Sequence, residues 1–383
     1  MKISLHVGLI GSFLFAGHFA IADDWKPIVP LDNSVFPSLA IATATIDQTK
    51  FNKTQPNYIG DVLGQLGVLV KTDQDNETFS VEISSSKFVR KTTFQGILPQ
   101  AGVIYRIYPK IDYDYDSLNH VIEPIPETIS FQVALNDRDL GIKQQTVEVR
   151  SIGDCPFAIK QPDGSIFPLK WMFAAYVDEN NPIVDKILQQ ALQLKLVPKF
   201  DDYQRGARGV YQQMFAVWNV LQRRGIKYSN ITTPSATSST VFSQHVRFIT
   251  DSITDTQANC VDGSVLFASI YRKIGLHAFL VIIPGHCYMG VAFDPRTRQP
   301  PIVVETTLIG NDDLNKPSFD RALNAIVSRR RNNLSLTSFE KACGAGLKEF
   351  QTALPHINAK EPEYYLILLD RARIDGIQPL PAQ

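Results

Sequence analysis

The sequence predicts an α+β protein of two domains, an all-β first part followed by a mixed domain that carries a reactive cysteine. Three observations point there. From about Val62 to Val149, apolar and polar residues alternate at period two, with no helical stretch between the runs. Beyond Cys155-Pro156 the apolar period lengthens to that of helices. Finally, Cys260 opens an apolar helical segment, and His286 and Glu305 follow on strand-like runs.

The 383 residues leave room for two separate cores. Lys+Arg and Asp+Glu balance at 38 each, so the chain lacks the global field that a nucleic-acid or anionic-membrane partner would need. The basic run Arg329-Arg330-Arg331 reads as a solvated loop. Residues 1–22 read as a signal peptide and stand outside the fold. Lys2 supplies the positive end, Leu9 to Phe19 is an apolar stretch too short to span a bilayer, and Ala20-Ile21-Ala22 is a small-x-small cleavage site. No cysteine sits at the cut to take a lipid, and no second long apolar run follows. The expected product is an exported chain, periplasmic or secreted, without a membrane span.

In the first domain, expected over 23–160, Phe79, Val81 and Ile83 share one face. So do Val103, Tyr105 and Ile107, then Phe131, Val133 and Leu135, then Val147 and Val149. Turn clusters such as Asp73-Gln74-Asp75-Asn76 separate the runs, and the pattern suggests a β-sandwich of about immunoglobulin size. Asp112, Asp114 and Asp116, with Glu123 beyond, echo the ligand spacing of a calcium loop. Ser117 stands where that loop needs glycine, and alternating Asp and Tyr also describes a strand with a wet face, which is the favoured reading. The break between domains is expected around Ile159 to Leu169, where Pro162, Gly164 and Pro168 cluster.

The second domain is expected over 161–383. Asn181-Pro182 is a helix start, leading into Ile183, Ile187 and Leu188. Val210, Met214, Val217, Trp218 and Leu221 form a core stripe of a further helix, with Gly225 placed to end it. Ser229 to Thr240 reads as a loop. Cys260 then begins a buried helix that Gly275 closes, and the positive helix end favours thiolate while its free N–H groups could meet a developing oxyanion. Ala278 to Ile283 is a buried strand, Pro284-Gly285 turns it, and His286 opens the next, with Tyr288 and Gly290 on its own face and Cys287 on the opposite, core-facing one. Glu305, inside the apolar strand Ile302-Val303-Val304-Glu305-Thr306, needs a partner, because an unpaired buried carboxylate is costly. His286 is the natural one, with Glu305 holding its tautomer. His277 and His245 read as structural histidines, and Gln244 as a surface or structural residue that could alternatively donate to an oxyanion.

These residues resemble the transglutaminase-like superfamily of papain-like fold. Its order is helix-borne Cys, strand-borne His and strand-borne acid, here 26 and 19 residues apart. The phrases Cys260-Val261-Asp262-Gly263, Pro284-Gly285-His286 and Glu305-Thr306-Thr307 are similar to an exported bacterial branch. So are Gln222 to Tyr228 and the closing Asp375-Gly376-Ile377-Gln378-Pro379-Leu380-Pro381. The resemblance spans roughly 170–383 and departs in using Glu where the superfamily usually has Asp. It implies that Cys260 is the nucleophile, His286 the general base and acid, and Glu305 the orienting residue. It also implies hydrolysis or transfer at a peptide, isopeptide or glutaminyl amide, with a protein or cell-wall peptide as substrate, and no cofactor or metal. The rival class is a catalytically idle fold of this type that serves as a binding or assembly module.

Export gives the remaining cysteines meaning. With Cys260 free and Cys287 facing the core, Cys155 and Cys343 are the expected disulfide pair.

Overall fold

A computed structural model of the chain describes residues 24–46, 56–231, 235, 238–311 and 321–381, the side chains of 321–328, 330 and 331 excepted. The expected signal peptide lies outside the described residues. No helix among the described residues is long and apolar enough to cross a membrane. The fold is mixed α+β, and the chain divides into two compact units. One comprises the residues up to Leu169 together with Ser235–Gln244; the other comprises Lys170–Pro234 and His245–Gln383.

The first unit holds strands β1 (Trp25–Ile28), β2 (Ser34–Val35), β3 (Tyr58–Gly60), β4 (Gly67–Lys71), β5 (Glu77–Ser85), β6 (Thr92–Leu98), β7 (Ile104–Tyr108), β8 (Ile125–Leu135), β9 (Arg138–Val149), β10 (Asp154–Lys160) and β11 (Ile166–Pro168). Short helices α1 (Pro37–Ala42) and α2 (Tyr115–Asn119) interrupt them. One sheet runs β2-β9-β8-β5-β6 and another β1-β4-β7-β3. The alternation read from sequence is the burial pattern: Val81, Ile83, Phe131, Val133 and Ile107 are fully enclosed, while Ser80, Glu82 and Gln132 between them are not.

One reading of this region is corrected. The Asp112–Asp116 segment is not a strand: Asp114 caps α2 by accepting from the Ser117 amide at 2.9 Å, and Asp112 and Asp114 pair with Arg90. A residue type that strands disfavour has found the cap position it prefers. The break expected around Ile159 to Leu169 falls at the end of that range, between Leu169 and Lys170, and the cluster of Pro162, Gly164 and Pro168 within it belongs to a hairpin. The Gln161 amide bonds to the Ser165 carbonyl at 2.8 Å and Gly164 takes a φ of +84°, which closes that hairpin between β10 and β11.

The second unit contains α3 (Pro182–Gln193), α4 (Gly206–Arg223), β12 (Lys227–Tyr228), α5 (Ile249–Thr254), β14 (Gln257–Ala258), α6 (Cys260–Lys273), β15 (His277–Ile283), β16 (His286–Ala292), β17 (Ile302–Val304), α7 (Arg321–Asn358), β18 (Tyr365–Leu368) and α8 (Leu369–Ile374); β13 (Val241–His245), which precedes α5, falls mostly in the first unit. Asn181 caps α3 as its position before proline suggests, and Gly225 sits just past α4 at φ +82°. The α4 stripe of Val210, Met214, Val217, Trp218 and Leu221 is wholly buried, with the Trp218 ring 5.4 Å from Phe267 of α6. Arg329-Arg330-Arg331 lies within α7 rather than in a loop.

The central sheet of this unit is antiparallel, in the order β17-β16-β15-β18. Its two faces are covered differently. Cys287 is acted on by Cys260 and Ser264 of α6, which packs against β16 and so covers the Cys287 face. Phe279, paired with Gly290 across the ladder, packs its ring 5.7 Å from Phe350, which puts α7 on the face shared by His286, Tyr288 and Gly290. Helices on both faces explain why these strands read as nearly unbroken apolar runs.

Candidate active site

Cys260 is the first residue of α6, and the sequence around it fixes that position locally. Asn259 is the N-cap, its side-chain oxygen accepting from the Val261 and Asp262 amides at 2.8 and 2.9 Å. Asp262 reaches back to the Asn259 amide at 3.1 Å, completing a capping box. The same carboxylate, fully enclosed, takes the Arg247 amide at 3.0 Å and its guanidinium at 2.9 Å. Burial pushes this carboxyl up, opposed by those donors. Gly263 completes the motif for a steric reason: a β-carbon there would meet the Thr306 side chain at 3.0 Å. So Val261-Asp262-Gly263 fastens the helix end that presents the thiol. Of the amides at the start of α6 that were expected to be free for an oxyanion, three are engaged: Val261 and Asp262 donate to the Asn259 side chain and Gly263 donates to the Asn259 carbonyl.

His286 follows the Pro284-Gly285 turn, where Gly285 takes a φ of +71° and Ile283 pairs directly with His286. The ring is about a quarter exposed. Its Nε2 lies 2.6 Å from Oε2 of Glu305, and the Cys260 side chain is near enough to act on the same ring. With Nε2 committed to the carboxylate, Nδ1 is the nitrogen left for sulfur. Cys260 first, and the hydrogen-bonded Glu305 second, push the imidazole up to about 10, against the opposing effect of burial.

Glu305 lies one residue past β17 rather than inside a strand. It caps a 3-10 turn, Thr306–Leu308. Its Oε1 accepts from the Thr307 amide at 2.9 Å and hydroxyl at 2.6 Å, which leaves Oε2 aimed at the histidine. Burial alone would raise this carboxyl, but the hydrogen bonds from His286 and Thr307 outweigh it and hold it below the usual range. Behind it, Gly346 of α7 allows close approach: a β-carbon there would lie 2.9 Å from the Glu305 nitrogen, and the Glu305 amide donates to the Ala342 carbonyl at 3.0 Å.

Cys260, His286 and Glu305 are thus brought together. Two further groups join them that sequence spacing did not reveal. Glu349 of α7 places Oε2 3.6 Å from His286 Nε2, and its carboxyl is raised by burial and by the neighbouring Glu305. Tyr288 is fully enclosed two residues along β16, its ring 5.9 Å from that of His286. The available signal was the helical face Ala342, Gly346, Glu349, Phe350 and Ala353, whose spacing marks the side of α7 that meets the sheet.

The other candidates lie elsewhere. His277 is exposed, stacks on Tyr203 and bonds Asp370 at 2.7 Å; it is a surface structural group. His245 acts on Asp251 electrostatically. Gln244 belongs to the first unit. Among the described residues, the acids near Asp112 do not converge as metal ligands.

The expected Cys155–Cys343 disulfide does not form: all four cysteines are free thiols. Cys155 is sealed in the first unit, whereas Cys343 sits on α7 in the second. Parity could count the thiols but not place them. Burial pushes Cys155 and Cys287 well above the usual thiol range and Cys343 up to about 12.

Compared with models of known families and with curated proteins, the chain matches none.

Proposed function

We propose that this chain is a cysteine-dependent acyl-transfer enzyme of transglutaminase-like arrangement, acting outside the cytoplasm on a peptide, isopeptide or glutaminyl amide, with a β-sandwich as its first domain. The observation that carries the reading is a single imidazole whose Nε2 meets Glu305 at 2.6 Å and on which Cys260 also acts. A histidine kept only for packing has no need of a thiol at a helix N-terminus and a fastened carboxylate on the same ring.

In the proposed reaction the Cys260 sulfur attacks the amide carbonyl carbon, giving a tetrahedral oxyanion. The proton on His286 Nδ1 passes to the departing nitrogen as the C–N bond breaks, which leaves a thioester and a free amine. Water then gives a proton to Nδ1 and attacks the thioester, releasing the acid and restoring the thiolate; a second amine in place of water gives transfer. Glu305 holds Nε2–H throughout and stabilises imidazolium when it forms.

An electrophilic acyl probe, read by intact mass under single turnover, tests this. Labelling of Cys260 that vanishes in Cys260→Ala and is strongly slowed in His286→Ala supports the enzyme. Labelling no faster than that of a small free thiol would leave the binding-module alternative standing.

A further inference from the structure

The second carboxylate against His286 gives the site more anionic charge than its protein partners neutralise. Glu305 and Glu349 both face Nε2, yet one N–H can serve only one of them well, and it serves Glu305. Glu349 Oε2 is buried and has no hydrogen-bond partner among the described residues. The Tyr288 hydroxyl is buried and unpartnered in the same way, in a side chain that is fully enclosed. Its ring lies 5.9 Å from that of His286, and Glu349 and then Glu305 are the charges that act on it most. Among the described residues no lysine or arginine forms an ion pair with Glu305 or Glu349. Unmet polar groups and uncompensated charge in one place mark a position for a cation.

We propose that His286 Nε2, Glu305 and Glu349 form a binding site for a zinc ion, which holds the Cys260 centre in an inactive state. One ligand comes from β16, one from the end of β17 and one from α7, and their donor atoms lie within 4.8 Å of one another. A nitrogen and two carboxylate oxygens suit zinc, whereas calcium and magnesium prefer all-oxygen shells. Bonds of about 2.0–2.2 Å in tetrahedral geometry set ligand atoms roughly 3.3–3.6 Å apart. Glu349 already stands at 3.6 Å from Nε2, and Glu305 at 2.6 Å has only to withdraw as zinc replaces the proton it shares with the ring. The Nε2 proton leaves to solvent, so the imidazole loses the carboxylate that oriented it and can no longer carry a proton at that edge. Side-chain exposures of 24% for His286 and 40% for Glu349 leave the ion a path from solvent.

The test is a zinc titration of the tag-free full chain against a chromophoric chelator, with no substrate present. One zinc per chain is expected. Affinity should fall about 10- to 100-fold in Glu349→Gln, the scale of losing one group from a metal's surroundings. It should fall further in His286→Ala and stay within about threefold in Cys260→Ala, whose thiol is outside the proposed ligand set. Circular dichroism on each variant excludes misfolding as the cause. In a second arm, zinc should slow alkylation of Cys260 in the wild-type chain and not in Glu349→Gln. Absence of binding, equal affinity in wild type and Glu349→Gln, or binding that disappears only in Cys260→Ala would each overturn the site. The binding arm needs no turnover, so its failure is separable from failure of the enzyme reading.

Discussion

Glu305 reaches His286 from a position that is itself locked. One carboxylate oxygen is held by the amide and hydroxyl of Thr307, and the other meets Nε2 at 2.6 Å. The acid therefore aims the ring without being free to turn away, and the ring's other edge is left for Cys260. Orientation and charge are separable properties of that contact, and substitution can tell them apart.

Glu305→Gln preserves size and the Thr307 contacts but removes the charge. Single-turnover acylation by an electrophilic probe should fall about 10²- to 10⁴-fold, with the melting temperature little changed. Cys260→Ala should give no acylation. If His277→Ala is the crippled variant and Glu305→Gln labels normally, the orienting role belongs elsewhere.

Thiol reactivity should follow environment. With iodoacetamide near neutral pH, native protein should be alkylated at Cys260, because burial encloses Cys155 and Cys287 and pushes Cys343 up to about 12. Denatured without reductant, the chain should expose four alkylatable thiols. Peptide mapping by mass spectrometry reads both results; two thiols in the denatured sample would restore the disulfide.

The capping box should show as stability. Asn259→Ala removes a cap and is expected to cost about 1 kcal/mol. Asp262→Ala also leaves the Arg247 guanidinium, only 11% exposed, without its carboxylate, and should cost about 3–5 kcal/mol. Urea unfolding gives both numbers. Equal costs would mean that the Arg247 pair adds nothing to the cap.

Two glycines two residues apart on α7 form an internal control. At Gly346 a methyl group would press on the backbone at Glu305, so Gly346→Ala should destabilise the chain and slow acylation together. At Gly344 nothing lies within 4 Å, so Gly344→Ala should leave acylation alone and raise stability by about 0.5–1 kcal/mol through helix propensity. Matched effects at the two positions would remove the close approach from the account of the site.

By itself the sequence determined what depends on near neighbours in the chain. Period-two alternation placed Val81 and Phe131 inside, helical spacing buried Trp218, and Pro284-Gly285 announced the turn that delivers His286. Cys260, His286 and Glu305 were legible because each sits at the edge of an apolar element where a polar residue requires a reason. Tertiary structure decided what depends on distance. Asp262 is a charged residue in the first turn of an apolar helix, and only the fold brings Arg247, fifteen residues earlier, onto its carboxylate. Cys155 and Cys343 could be counted, but whether they meet is a matter of three-dimensional placement, which parity does not encode. Glu349 stands forty-four residues beyond Glu305 on another element, and only the packing of α7 against the sheet brings it to the histidine. A periodic pattern reports which way a side chain faces; what it faces is fixed by contacts between segments whose spacing in the chain carries no period.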